Sequence, residues 1–123
     1  MSTQTIVLIV IADLIVVSLV LAKLFGRISE PKAKELLFGR AKLLDVRSPG
    51  EFASGHLAGA VNVPYQEVAQ RIAAIAPDKS APLLVYCLSG GRSGIAKRIL
   101  RRHGYTQAHN LGSLSRAKRI IES

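Results

Sequence analysis

The 123-residue chain contains a single cysteine, Cys87, which ends the run Leu83-Leu84-Val85-Tyr86-Cys87 and stands directly before Leu88-Ser89-Gly90-Gly91-Arg92-Ser93-Gly94. The first five residues read as a short buried strand. Gly90 and Gly91 then free the backbone to curl and to turn its N–H groups inward. Beyond the loop, Ile95, Ala96, Ile99 and Leu100 recur at helical spacing, with Lys97, Arg98, Arg101 and Arg102 on the opposite face and Gly104 as a terminator. A sulfur placed there meets converging amides, the positive end of a helix dipole, and Arg92. Each favours thiolate over thiol, and such settings lower a cysteine pKa from about 8.5 to roughly 3.5–7.5. The chemistry predicted is nucleophilic attack with a covalent intermediate on Cys87. A lone cysteine is more often a small buried apolar side chain, and it is the strand-to-loop position that favours the reactive reading.

Two chemistries use a cysteine cradled by a loop that ends in arginine. Cysteine phosphatases carry a longer loop, whose ring of amides accepts a tetrahedral phosphate. Here Leu88, Ser89, Gly90 and Gly91 make only four residues between Cys87 and Arg92. The smaller cradle suits one added sulfur atom, a persulfide. Cys87 to Ser93, together with Leu44-Asp45-Val46-Arg47-Ser48-Pro49-Gly50-Glu51-Phe52 and Gly55-His56-Leu57-Ala58-Gly59-Ala60-Val61-Asn62-Val63-Pro64, resembles the rhodanese (sulfurtransferase) domain family from about Ile28 to Leu114.

That resemblance implies a sulfurtransferase that moves sulfane sulfur from a persulfide or thiosulfate donor, through a Cys87 persulfide, to a thiol or protein acceptor. Cys87 and Arg92 are then the catalytic residues, with Leu88, Ser89, Gly90, Gly91 and Ser93 binding substrate. No cofactor is implied. Leu88 stands where relatives often carry a cation, which favours a persulfide donor over thiosulfate. The runner-up is a rhodanese-like module, tethered to a membrane, that only binds a partner. A cysteine phosphatase or arsenate reductase ranks lower because of the loop spacing. Asp45, Arg47 and Glu51 read as a charge network that pins the loop after a strand, and His56 as a hydrogen-bonded structural histidine.

Composition bounds the remaining possibilities. The chain carries 17 basic and 8 acidic residues, a net charge of +9 that stays unchanged when residues 1–25 are set aside, because Asp13 and Lys23 cancel. The excess belongs to the C-terminal part. It suits anionic lipid or small anionic substrates. One cysteine excludes an internal disulfide, and His56, His103 and His109 lack metal-site spacing, so no metal is expected. The basic helix has no interleaved aromatic residues, which argues against nucleic acid.

The elements that position the site follow from periodicity. Ile6 to Ala22 is an apolar run of 17 residues interrupted by Asp13 and Ser18. Its thirteen Ile, Val and Leu residues contribute about −4 to −8 kcal/mol to insertion, against about 2.5–3.5 kcal/mol for Asp13. Insertion therefore wins. No cation of a side chain precedes the run and no small-x-small site follows it, which argues against a cleaved signal peptide. Residues 1–25 are thus expected to form one transmembrane helix, and residues 26–123 one domain. Lys23, Arg27, Lys32, Lys34, Arg40 and Lys42 predict a single pass through a bacterial inner membrane, with the N-terminus outside and the domain cytoplasmic. Asp13 offers a contact to a partner helix.

Further on, the sequence predicts helices over 29–38, 64–76 and 113–123, strands near 43–46, 61–63 and 107–111, and turns at Ser48-Pro49-Gly50 and Gly112. Alternation at this spacing predicts an α/β fold: a parallel sheet with helices on both faces, and the site beyond the carboxyl ends of its strands.

Overall fold

A computed structural model describes residues 1–123, with the side chains of residues 1–22 and 26–123. Its elements are α1 (Thr3–Phe25), α2 (Glu30–Phe38), β1 (Lys42–Asp45), α3 (Pro49–Ala53), β2 (Val61–Asn62), a 3-10 turn (Tyr65–Glu67) running into α4 (Val68–Ile75), β3 (Leu83–Cys87), α5 (Gly91–Arg102), β4 (Ala108–Ser113) and α6 (Leu114–Glu122). The strands pair in the order β2-β1-β3-β4, all parallel.

Every residue of β3 is buried, as expected for a central parallel strand covered on both faces. Alternation assigns Leu83, Val85 and Cys87 to the face packed by Val68, Ile72, Ala96 and Leu100 of α4 and α5. Leu84 and Tyr86 point the other way, against Ala33 of α2 and Ala117 and Ile120 of α6. Polar groups inside are paired: the Tyr105 hydroxyl donates to the Ala76 carbonyl at 2.7 Å, and the Tyr86 hydroxyl accepts from the Leu57 amide at 3.1 Å.

Three features differ from expectation. The Ser48-Pro49-Gly50 turn is instead the start of α3. Ser48 Oγ accepts from the Glu51 amide and Glu51 accepts from the Ser48 amide, both at 3.2 Å, a capping box with Pro49 in the first turn. Strand β4 continues through Gly112, because a bulge after Val85↔Asn110 leaves Leu111 as the extra residue and pairs Tyr86 with Gly112. Lys97, expected on the open face of α5, is 7% exposed and donates to the Gly26 carbonyl at 3.2 Å. The chain entering the domain covers it, and that burial lowers its pKa, helped by nearby Arg101.

The residues of α1 that carry the apolar run are exposed, and Thr3–Ala22 is long and apolar enough to cross a bilayer. In the domain, Asp45 and Arg47 form a buried pair, with Nη2 2.7 Å from Oδ2 and also donating to the Gly55 carbonyl at 2.7 Å. Asp45→Ala leaves that guanidinium buried without its counterion. Urea unfolding of the variant should show a loss of about 3–5 kcal/mol, the usual consequence of breaking one side of such a pair.

Candidate active site

The loop after β3 turns on Gly90, whose φ of 99° lies in the left-handed region open to glycine. This turn carries the Gly90 amide onto Cys87 Sγ, 2.9 Å away, and α5 begins at the next residue. One turn into α5, Ser93 places its hydroxyl 3.4 Å from the same sulfur. Burial pushes the Cys87 thiol up. The Ser93 hydroxyl and the amides of Ser93, Gly90 and Ser89 pull it down, and the net direction is below the ordinary thiol value.

The Ser93 hydroxyl has one proton and three acceptors around it: Asn110 Oδ1 at 2.7 Å, the Gly90 carbonyl at 3.0 Å and Cys87 Sγ at 3.4 Å. Asn110 Oδ1 is fixed as an acceptor because the Gly112 amide donates to it at 2.9 Å, while Nδ2 faces the Gly90 carbonyl at 3.3 Å. A charged sulfur is the stronger acceptor and draws the proton toward itself. Asn110, 1% exposed, was not singled out from the sequence. Its only signal there is a polar side chain inside an expected strand, next to Leu111.

Arg92, expected to favour the thiolate, is itself held by a carboxylate. Its guanidinium forks onto Glu51, Nη1 to Oε1 at 2.7 Å and Nη2 to Oε2 at 3.0 Å. Arg92, followed by the Ser48 amide, holds the Glu51 carboxyl at about 2. Glu51 in turn is the largest influence raising Arg92, with Cys87 a lesser one. The pair ties the loop's end to α3, so the fork orients the loop and shares its charge between Glu51 and the sulfur.

Leu88, Ser89 and Gly91 are exposed on the outside of the loop, whereas Cys87 has no exposed surface. The sulfur lies one residue layer beneath water. Behind the loop, Ser89 bridges Ser113, and the Leu88 carbonyl accepts from the Leu114 amide at 3.3 Å. Among the other candidates, Asp45 and Arg47 pair with each other, and His56 hydrogen-bonds the Phe52 carbonyl at 2.8 Å while stacking on its ring.

Two pH effects follow. The rate of Cys87 alkylation against pH should give a midpoint below that of a free thiol, and Ser93→Ala should move that midpoint upward. A thiol whose folded pKa is depressed stabilises the fold fully above its unfolded value of about 8.5, and that contribution fades as pH falls through the folded value. Stability of the wild-type chain relative to Cys87→Ser should therefore rise with pH through this window.

The sequence model of the Rhodanese-like domain family matches residues 29–116. The thiosulfate sulfurtransferase PspE of Escherichia coli is 44% identical over 78 residues, covering 63% of this chain and 75% of that protein. The thiosulfate sulfurtransferase GlpE of Pseudomonas aeruginosa is 34% identical over 87 residues, covering 71% of this chain and 77% of that protein. A solved Escherichia coli rhodanese with bound anions superposes with a TM-score of 0.60 at 43% identity, covering 62% of this chain and 89% of that one. The human single-domain sulfurtransferase TSTD1 superposes at 0.65 with 32% identity, covering 76% and 95%. With a parallel sheet, a cysteine at the end of its central strand and a family match across most of its length, this chain belongs to the rhodanese-like domain family.

Proposed function

We propose that the chain is a membrane-anchored, rhodanese-type sulfurtransferase that carries sulfane sulfur on Cys87, and that residues 1–25 are the anchor and 26–123 the working domain. The observation that carries this reading is the convergence of the Gly90 amide and the Ser93 hydroxyl on Cys87 Sγ. The sulfurtransferase names of its relatives support the reaction class.

In the first step the Cys87 thiolate attacks the outer sulfur of thiosulfate or of a persulfide donor. A new S–S bond forms on Cys87 while the donor's S–S bond breaks, releasing sulfite or the donor's thiolate. The terminal sulfur keeps the negative charge, and the loop amides hold it as an oxyanion hole holds a developing charge. In the second step an acceptor thiolate attacks that terminal sulfur and Cys87 leaves as thiolate. One zero-valent sulfur moves and no external oxidant or reductant is consumed. Ser89, Gly90 and Ser93 are the groups that bind the transferred sulfur, and Leu88 and Gly91 line the approach to it. Arg92 positions the loop through Glu51. The apolar Leu88 offers no charge to the sulfonate end of thiosulfate, which favours a persulfide as the better donor.

The competing reading is a tethered module that binds a partner without chemistry, and the burial of Cys87 is the observation in its favour. Sulfur loading requires the exposed residues over Cys87 to give way. Incubating the protein with thiosulfate or with a persulfide donor should add the mass of one sulfur atom, removable by reductant and absent in Cys87→Ser. No adduct from either donor, with Cys87 still open to alkylation, leaves the binding module as the better reading.

The anchor assignment draws on the length and exposure of the apolar run. Cations after the span support a cytoplasmic domain with the N-terminus outside, with Asp13 available to a partner helix.

A further inference from the structure

We propose that the edge of the sheet at which the strands begin lies on an anionic lipid surface, with Phe38 entering the interface and Cys87 facing away from it. The inference rests on α1 being a membrane anchor.

The direction of the tether comes from pairing. Arg27 bridges Asn110 in the parallel sense, and the Ile28 amide donates to the Asn110 carbonyl at 2.8 Å. The chain here runs beside β4 in the direction of β4, so whatever precedes Arg27 lies toward the end at which β4 starts. Only residues 23–25 separate Gly26 from Ala22, the last residue of the apolar span. A link this short holds that edge of the domain close to the bilayer.

The chemistry of the edge agrees. Parallel strands alternating with helices bring the C-terminal ends of α2, α4, α5 and α6 to it. Arg40, Lys42, Lys79 and Arg102 are exposed there; the carboxylates at the same helix ends are Glu35, paired with Lys32, Asp78, hydrogen-bonded to Ser80, and Glu122. Phe38 ends α2 and is 94% exposed, which is unusual for an aromatic side chain in a soluble domain. With Val61 and Ile121, each 40% exposed, it borders an open groove of about 740 Å³. An apolar tip that shares its groove with Lys34 and Lys42, on an edge that also exposes Arg40, Lys79 and Arg102 and from which a membrane span departs, matches the two components of interfacial binding: apolar burial near the headgroups and attraction to anionic lipid. Cys87 lies at the other end of β3, so docking leaves the candidate site open to water-borne donors and acceptors.

The chain has no tryptophan, so Phe38→Trp supplies a single reporter on an exposed side chain. The full-length variant is reconstituted into phosphatidylcholine vesicles with or without phosphatidylglycerol, with brominated acyl chains as quencher, and anchoring is checked by carbonate extraction. The expected result is blue-shifted, bromolipid-quenched emission that is stronger with phosphatidylglycerol. Arg102→Gln should weaken the docked state about fivefold, the effect of one surface cation. Leu88→Trp, at the far edge, should stay unquenched.

Resistance to carbonate with an unquenched reporter at position 38 overturns the docking while the anchor stands. Release by carbonate overturns both. Blue-shifted emission that depends on protein concentration and ignores bromolipid assigns the groove to a second copy of the chain, and equal quenching from positions 38 and 88 refutes the orientation.

Discussion

The structure depends on one local contest at Cys87. The parallel sheet buries the sulfur, which favours the neutral thiol, and the loop returns donors to it, which favours the anion. Hydrogen bonds to a charged group contribute about 1.5–3 kcal/mol each. A few of them, from the Gly90 amide, the Ser93 hydroxyl and the neighbouring amides, are enough to reverse the direction set by burial. That balance is possible only because the chain turns left-handed at Gly90 and α5 starts at once.

Most of the remaining architecture can be understood as holding this loop still. The bulge in β4 shifts Gly112 and Ser113 opposite Tyr86 and Cys87, and Asn110 fills the space by bonding Gly112, Ser93 and Gly90 together. On the other flank the Arg92–Glu51 fork ties the loop to α3, whose own first turn is closed by the Ser48–Glu51 capping box. The low pKa of Glu51 keeps this fork ionised throughout the range in which a thiol titrates. The loop is thus braced from β4 behind and from α3 in front. The sulfur sits between the two braces.

Much of this was legible in the residues. The apolar run ending in Cys87, the paired glycines and the helical spacing of Ala96 and Leu100 identified strand, loop and helix, because each rests on local propensity. Glu51 and Arg92 were both named, but as members of separate groups, since a bond spanning 41 positions has no signature along the chain. Asn110 was missed for the same kind of reason: its role exists only once the bulge sets the register. Lys97 was misplaced because its burial is caused by residues near Gly26, which no periodicity within α5 can show. The helix α3 looked like a turn because five residues are too few to display a period.

If the loop amides receive the transferred sulfur, a crystal structure of donor-treated protein will show density for one additional atom on Cys87 Sγ, directed into the loop and within hydrogen-bonding distance of the amides that begin α5. An added sulfur pointing away from those amides, or a donor bound elsewhere with Cys87 unmodified, would contradict it.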